Sequence, residues 1–71
     1  MLTPKYQEGM GILYKTKSRY GDELQFGIIL KPLILKLDPT FKEEVFYEIY
    51  AKGLIMTIPE TFILSSFENP Y

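Results

Sequence analysis

The chain contains no cysteine, no histidine and no tryptophan. Without cysteine no disulfide can reinforce the fold, and without both cysteine and histidine the usual ligand sets for structural zinc are excluded. The missing histidine also removes the common base that activates a serine, so Ser18, Ser65 and Ser66 are poor candidates for nucleophiles. Strong charge of one sign is lacking as well. Eight basic and nine acidic residues leave a net charge of −1, whereas a phosphate-binding surface normally needs a basic face. The longest apolar stretch, Phe26 to Leu37, is broken by Lys31, Pro32 and Lys36 and is too short to span a bilayer. Met1-Leu2-Thr3-Pro4-Lys5 lacks the apolar core of a secretory signal. No cofactor, metal or membrane partner is expected from this composition.

Aromatic residues are plentiful by contrast, with six tyrosines and five phenylalanines. At 71 residues there is room for one domain with a modest core. Each aromatic ring buries a large area, so most should build that core, and the remainder should lie on an outer face as a contact surface.

The most specific local signal is Lys52-Gly53, between two runs that read as strands, Glu44–Ala51 and Leu54–Ile58. A two-residue connection makes an antiparallel hairpin, and glycine tolerates the positive φ such turns require. Lysine in the first loop position is less usual than Asn or Asp, which leaves the turn type open. Upstream, Met10, Ile12 and Tyr14 alternate as the inward face of a first strand, and Gly11 marks a bulge or a close backbone approach. Ser18–Glu23 breaks the pattern and predicts a charged loop. Phe26–Leu30 reads as a second strand, central or curved because both its faces are apolar. Pro32 must lie at an edge or bulge, and Leu33–Leu37 continues the strand after a bend. Asp38-Pro39 initiates a second loop. In the third strand Val45, Tyr47, Ile49 and Ala51 form an uncharged inward face, which leaves Phe46 and Tyr50 pointing outward. Pro59–Phe62 predicts a single 3₁₀ turn before a last strand at Ile63–Phe67.

These elements predict an all-β fold, a five-stranded SH3-like small barrel over residues 9–67 with a lead-in at 1–8 and a tail at 68–71. The SH3-like resemblance is carried by Gly9–Tyr14 as opening strand, Gly27-Ile28-Ile29-Leu30 as second strand, Tyr47–Gly53 as hairpin, and Ile58–Ile63 as the turn into the last strand. The same order resembles short proteins of large tailed bacteriophages, with a Gly-Ile-Ile-Leu strand followed by a Tyr-Glu-hydrophobic hairpin. That likeness implies a place in the host cytoplasm or in the virion. Peptide-binding SH3 domains use a tryptophan that this chain lacks, which points away from Pro-rich peptides.

Four sets of residues are candidates for function. The paired carboxylates Asp22-Glu23 and Glu43-Glu44 read as solvated loop charge, and Asp22, Glu23 and Asp38 match no calcium loop. Gly9-Met10-Gly11 lacks the rest of a dinucleotide fingerprint, since position 14 is Tyr and no helix follows. Lys15, Lys17 and Arg19, with Tyr14 and Tyr20 interleaved, are the best nucleic-acid candidates, because rings can stack on bases while cations meet phosphates. Phe46, Tyr50, Leu33, Leu35 and Phe41 are the protein-interface candidates, since aromatic anchors dominate such surfaces. The expected function is therefore a non-enzymatic protein–protein interaction module, phage-type and accessory or virion-associated. It would bind a phage or host protein or a second copy of itself; the alternative is a nucleic-acid-binding barrel.

Overall fold

The computed structural model describes residues 2–36, 38–40 and 42–67. Five antiparallel strands account for most of it: β1 (Gly11–Ser18), β2 (Gly21–Leu35), β3 (Glu44–Ala51), β4 (Leu54–Pro59) and β5 (Ile63–Phe67), with a 3₁₀ turn at Glu60–Phe62 before the last. They form one sheet in the order β4-β3-β2-β1-β5. The chain meanders through four strands and returns the fifth to lie beside the first. β4 and β5 occupy opposite edges and are not paired to each other, so the sheet is open rather than a closed cylinder.

The β3–β4 connection is the expected tight hairpin. Lys52 has φ 54° and Gly53 φ 77°, the two left-handed residues of a type I′ turn, with Ala51 and Leu54 paired across its mouth. The first connection differs from expectation. Ser18–Glu23 is not a loop but a second tight turn, in which only Arg19 and Tyr20 lie between the paired ends Ser18 and Gly21. The Ser18 hydroxyl donates to the Gly21 carbonyl (2.8 Å) and accepts from the Tyr20 N–H (3.2 Å). With the turn closed this way, Lys17 faces Asp22 across the ladder, and opposite charges on facing strands support the register.

β2 crosses the whole sheet and changes face partway along. Its register against β3 slips between Ile29 and Lys31, which makes Leu30 an extra residue. Before the slip Ile29 points inward with Ile49; after it Pro32 and Ile34 share the inward face with Tyr47 and Val45. β1 pairs with β2 only as far as Ile28, so Pro32 lies where that side of the strand has no ladder to feed.

One face of the sheet carries the core, a cluster of Ile12, Tyr14, Ile29, Val45, Tyr47, Ile49, Ala51, Ile58 and Ile63. The inward alternation in β1 and β3 is as the sequence implies. The lead-in is fastened to this core. Gly9 N–H donates to the Ile29 carbonyl (2.8 Å), and Ile29 N–H donates to the Met10 carbonyl (2.9 Å). The Tyr6 ring packs edge-on against Tyr47 with centroids 5.6 Å apart. The buried Tyr47 hydroxyl donates to Glu60 Oε2 (2.6 Å) and accepts from the Tyr6 N–H (3.1 Å). Glu60 Oε2 also accepts from the Lys5 N–H (3.2 Å), so one carboxylate joins the lead-in, β3 and the 3₁₀ turn. Burial, reinforced by that carboxylate, pushes the Tyr47 phenol up to about 12.

In the second loop, where Asp38-Pro39 was expected to initiate a turn, Asp38 Oδ1 accepts from both the N–H and the hydroxyl of Thr40 (2.8 Å each), an Asx-type turn. These bonds lower the Asp38 pKa. Leu37 and the tail at 68–71 lie outside the described residues.

Candidate protein-docking face

The outer face of the sheet is assembled by register. Residues directly opposite in an antiparallel ladder point to the same side. Ile55 of β4 faces Tyr50 of β3, Tyr50 faces Ile28 of β2, Ile28 faces Gly11 of β1, and Gly11 faces Phe67 of β5. One uncharged row therefore runs across all five strands on the side away from the core. Phe26, the next outward residue of β2, adds to it and packs edge-on against Phe67, centroids 6.2 Å apart.

These side chains are open to solvent: Phe26 68%, Ile28 42%, Tyr50 47%, Ile55 66% and Phe67 49% exposed. Taking about 200 Å² for each fully exposed residue, they present on the order of 500 Å² of contiguous apolar surface. That lies at the upper end of what monomers carry, and large patches are usually functional. Gly11 shapes the row. A Cβ there would collide with the Phe67 ring, so glycine lets that ring lie down over β1. Between the two phenylalanines and Tyr50 lies a groove of about 430 Å³, with Gly11, Gly27 and Ala51 among its lining residues and Lys52 as its one charged residue.

The interface residues expected from the sequence are distributed differently. Tyr50 is in the row. Phe46 is not an exposed partner for it: the ring is 9% exposed, flanked in register by Leu33 and Pro59 on the same face. Neighbours on both adjacent strands enclose a ring that alternation alone would leave outside. Leu33 is half-buried and Leu35 is exposed, but the facing pair Lys31 and Glu48 separates them from Tyr50. Phe41 lies outside the described residues. Phe26, Ile28, Ile55 and Phe67 were not among the expected interface residues. Ile55 could have been reached by counting outward from the Lys52-Gly53 turn, and Phe26 and Ile28 from the alternation of β2. Phe67 could not, because its position depends on the long-range pairing of β5 with β1, which contains a register shift.

The basic candidates sit at the far end of the β1–β2 hairpin. Lys15 and Lys17 alternate on β1, Arg19 and Tyr20 form the turn, and Tyr20 is 93% exposed. Asp22 interrupts the cluster: it faces Lys17 in register and pairs with Lys15 at 3.6 Å, the only ion pair among the described residues. Both partners are about half exposed, so this pair stabilises weakly. Among the described residues no three acidic side chains converge as a metal site, and Asp22, Glu23 and Asp38 are not brought together. Among the described residues no helix is long and apolar enough to cross a membrane. No protein-family model, curated protein or solved structure matches the chain significantly.

Proposed function

We propose that the chain is a non-enzymatic protein–protein interaction module, a small SH3-like barrel of phage type that serves as an accessory or virion-associated protein and docks through its outer face. The observation that carries this is the uncharged row Ile55, Tyr50, Ile28, Gly11, Phe67 with Phe26 beside it, an anchor set rich in the aromatic side chains that dominate interfaces. The barrel reading is supported by the adjacency of first and last strands and by the 3₁₀ turn immediately before β5. Affinity capture with the tagged protein, before and after nuclease treatment, tests it. A protein partner should survive nuclease with the native chain and be lost with Ile28→Ser plus Phe26→Ser. A partner retained equally by the double variant removes the outer face from consideration.

Nucleic-acid binding through Lys15, Lys17, Arg19 and Tyr20 is the second reading, favoured by the projecting Tyr20 ring beside Arg19. Its affinity would fall steeply with salt. Binding indifferent to salt rules it out.

A further inference from the structure

We infer that the partner seated on the outer face is a second copy of this chain, packed sheet to sheet about a two-fold axis that runs along the Ile55–Phe67 row. The inference rests on the docking reading above and names its partner. Area is the first ground. Two patches of on the order of 500 Å² each would bury about 1,000 Å² together, the lower bound for a specific interface. Further burial at the rim would add to that.

Charge is the second ground. Glu48 stands two residues before Tyr50 on the outward face of β3, and Lys52, in the turn that follows β3, borders the outer groove on the other side of Tyr50. Rotation by 180° about the row exchanges its two sides. It therefore brings Lys52 of one copy over Glu48 of the other, and the symmetry repeats the pair. Neither residue has an ion-pair partner among the described residues of its own chain. The same rotation lays Lys31 over the outward Phe26 ring of the other copy, a favourable cation–aromatic approach.

Backbone conformation is the third ground. Lys52 holds φ 54° at a turn position where Asn, Asp or Gly is less strained. A lysine kept there against local preference is accounted for by a charge needed at that end of the groove.

Sedimentation equilibrium on the full chain, from low micromolar to near-millimolar concentration, decides the matter. The native protein should dimerise with a micromolar dissociation constant. Ile28→Ser should weaken the dimer on the order of 100-fold. Glu48→Lys and Lys52→Glu alone should each weaken it about tenfold, and the double reversal E48K/K52E should recover most of the loss. Circular dichroism establishes that each variant folds; should Ile28→Ser not fold, the charge-reversal cycle at half-buried Glu48 and exposed Lys52 decides alone. A native monomer throughout the range overturns the inference. So does a dimer that survives Ile28→Ser and disappears with Leu54→Lys, which would be edge-to-edge pairing of β4. Single reversals that are harmless, or a double reversal that fails to rescue, overturn the two-fold arrangement. If the native chain is monomeric yet still captures a nuclease-resistant protein through Ile28, only the identity of the partner is wrong and the docking reading stands.

Discussion

At the scale of single residues, the Tyr47 hydroxyl is the group with the most at stake. It lies in the core and makes one bond to Glu60 and one to the Tyr6 backbone, so removing it strands the Tyr6 N–H and leaves Glu60 Oε2 with only the Lys5 N–H. Tyr47→Phe should cost about 1–2 kcal/mol in urea unfolding. A change below about 0.3 kcal/mol would show that water replaces both bonds at no loss. The same phenol gives stability an alkaline limit. An unfolded tyrosine ionises near 10.0 and the folded one near 12, so the folded state keeps a proton that the unfolded state gives up. Stability from this source is complete below pH 10 and declines as pH rises toward 12, by on the order of 2 kcal/mol. Tyr14, raised by burial, adds in the same sense. The decline should flatten in Tyr47→Phe, and an equally steep decline in that variant would assign it to other groups.

At the scale of elements, the two hairpin turns set the registers on which the outer row depends. The type I′ turn at Lys52-Gly53 carries a residue its geometry disfavours. Lys52→Asn should stabilise the monomer by about 0.5–1 kcal/mol, measured by denaturant titration at concentrations where no association occurs. A neutral or destabilising result would mean that the lysine stem contributes packing that outweighs its backbone strain. The order of the strands, the inward set of β3, the 3₁₀ turn and the close approach at Gly11 were legible in the sequence, because alternation, proline and a two-residue glycine turn are local signals; the full length of β2, Gly21–Leu35, was not. The first turn was not. Ser18 to Glu23 has the polarity of a loop, and only the hydroxyl bonds of Ser18 and the facing charges reveal a hairpin. Phe46 was misplaced for a related reason. Alternation gives the direction in which a side chain points, and enclosure depends on what adjacent strands place beside it. The docking row itself combines five strands, and its last member follows from a pairing of the chain's two ends that no local pattern encodes.

At the scale of the whole molecule, a small core and a broad apolar exterior make folding and association interdependent. If two copies share the outer face, the thermal midpoint should rise with protein concentration. Scanning calorimetry over a hundredfold range of concentration checks this. The rise should vanish in Ile28→Ser, and its persistence there would locate the association elsewhere. The single supernumerary residue at Leu30 has a consequence of its own for how such a sheet can vary. It gives β2 a parity: everything beyond it is phased oppositely to everything before it. Losing one residue there would exchange the two sides of the distal half, turning the Lys31 ammonium toward the face that carries Tyr47 and Val45, and moving the already exposed Pro32 and Ile34 to the opposite face. The strand can therefore lengthen or shorten by twos but not by ones, and lineages of this chain should show their insertions and deletions in the turns or in pairs.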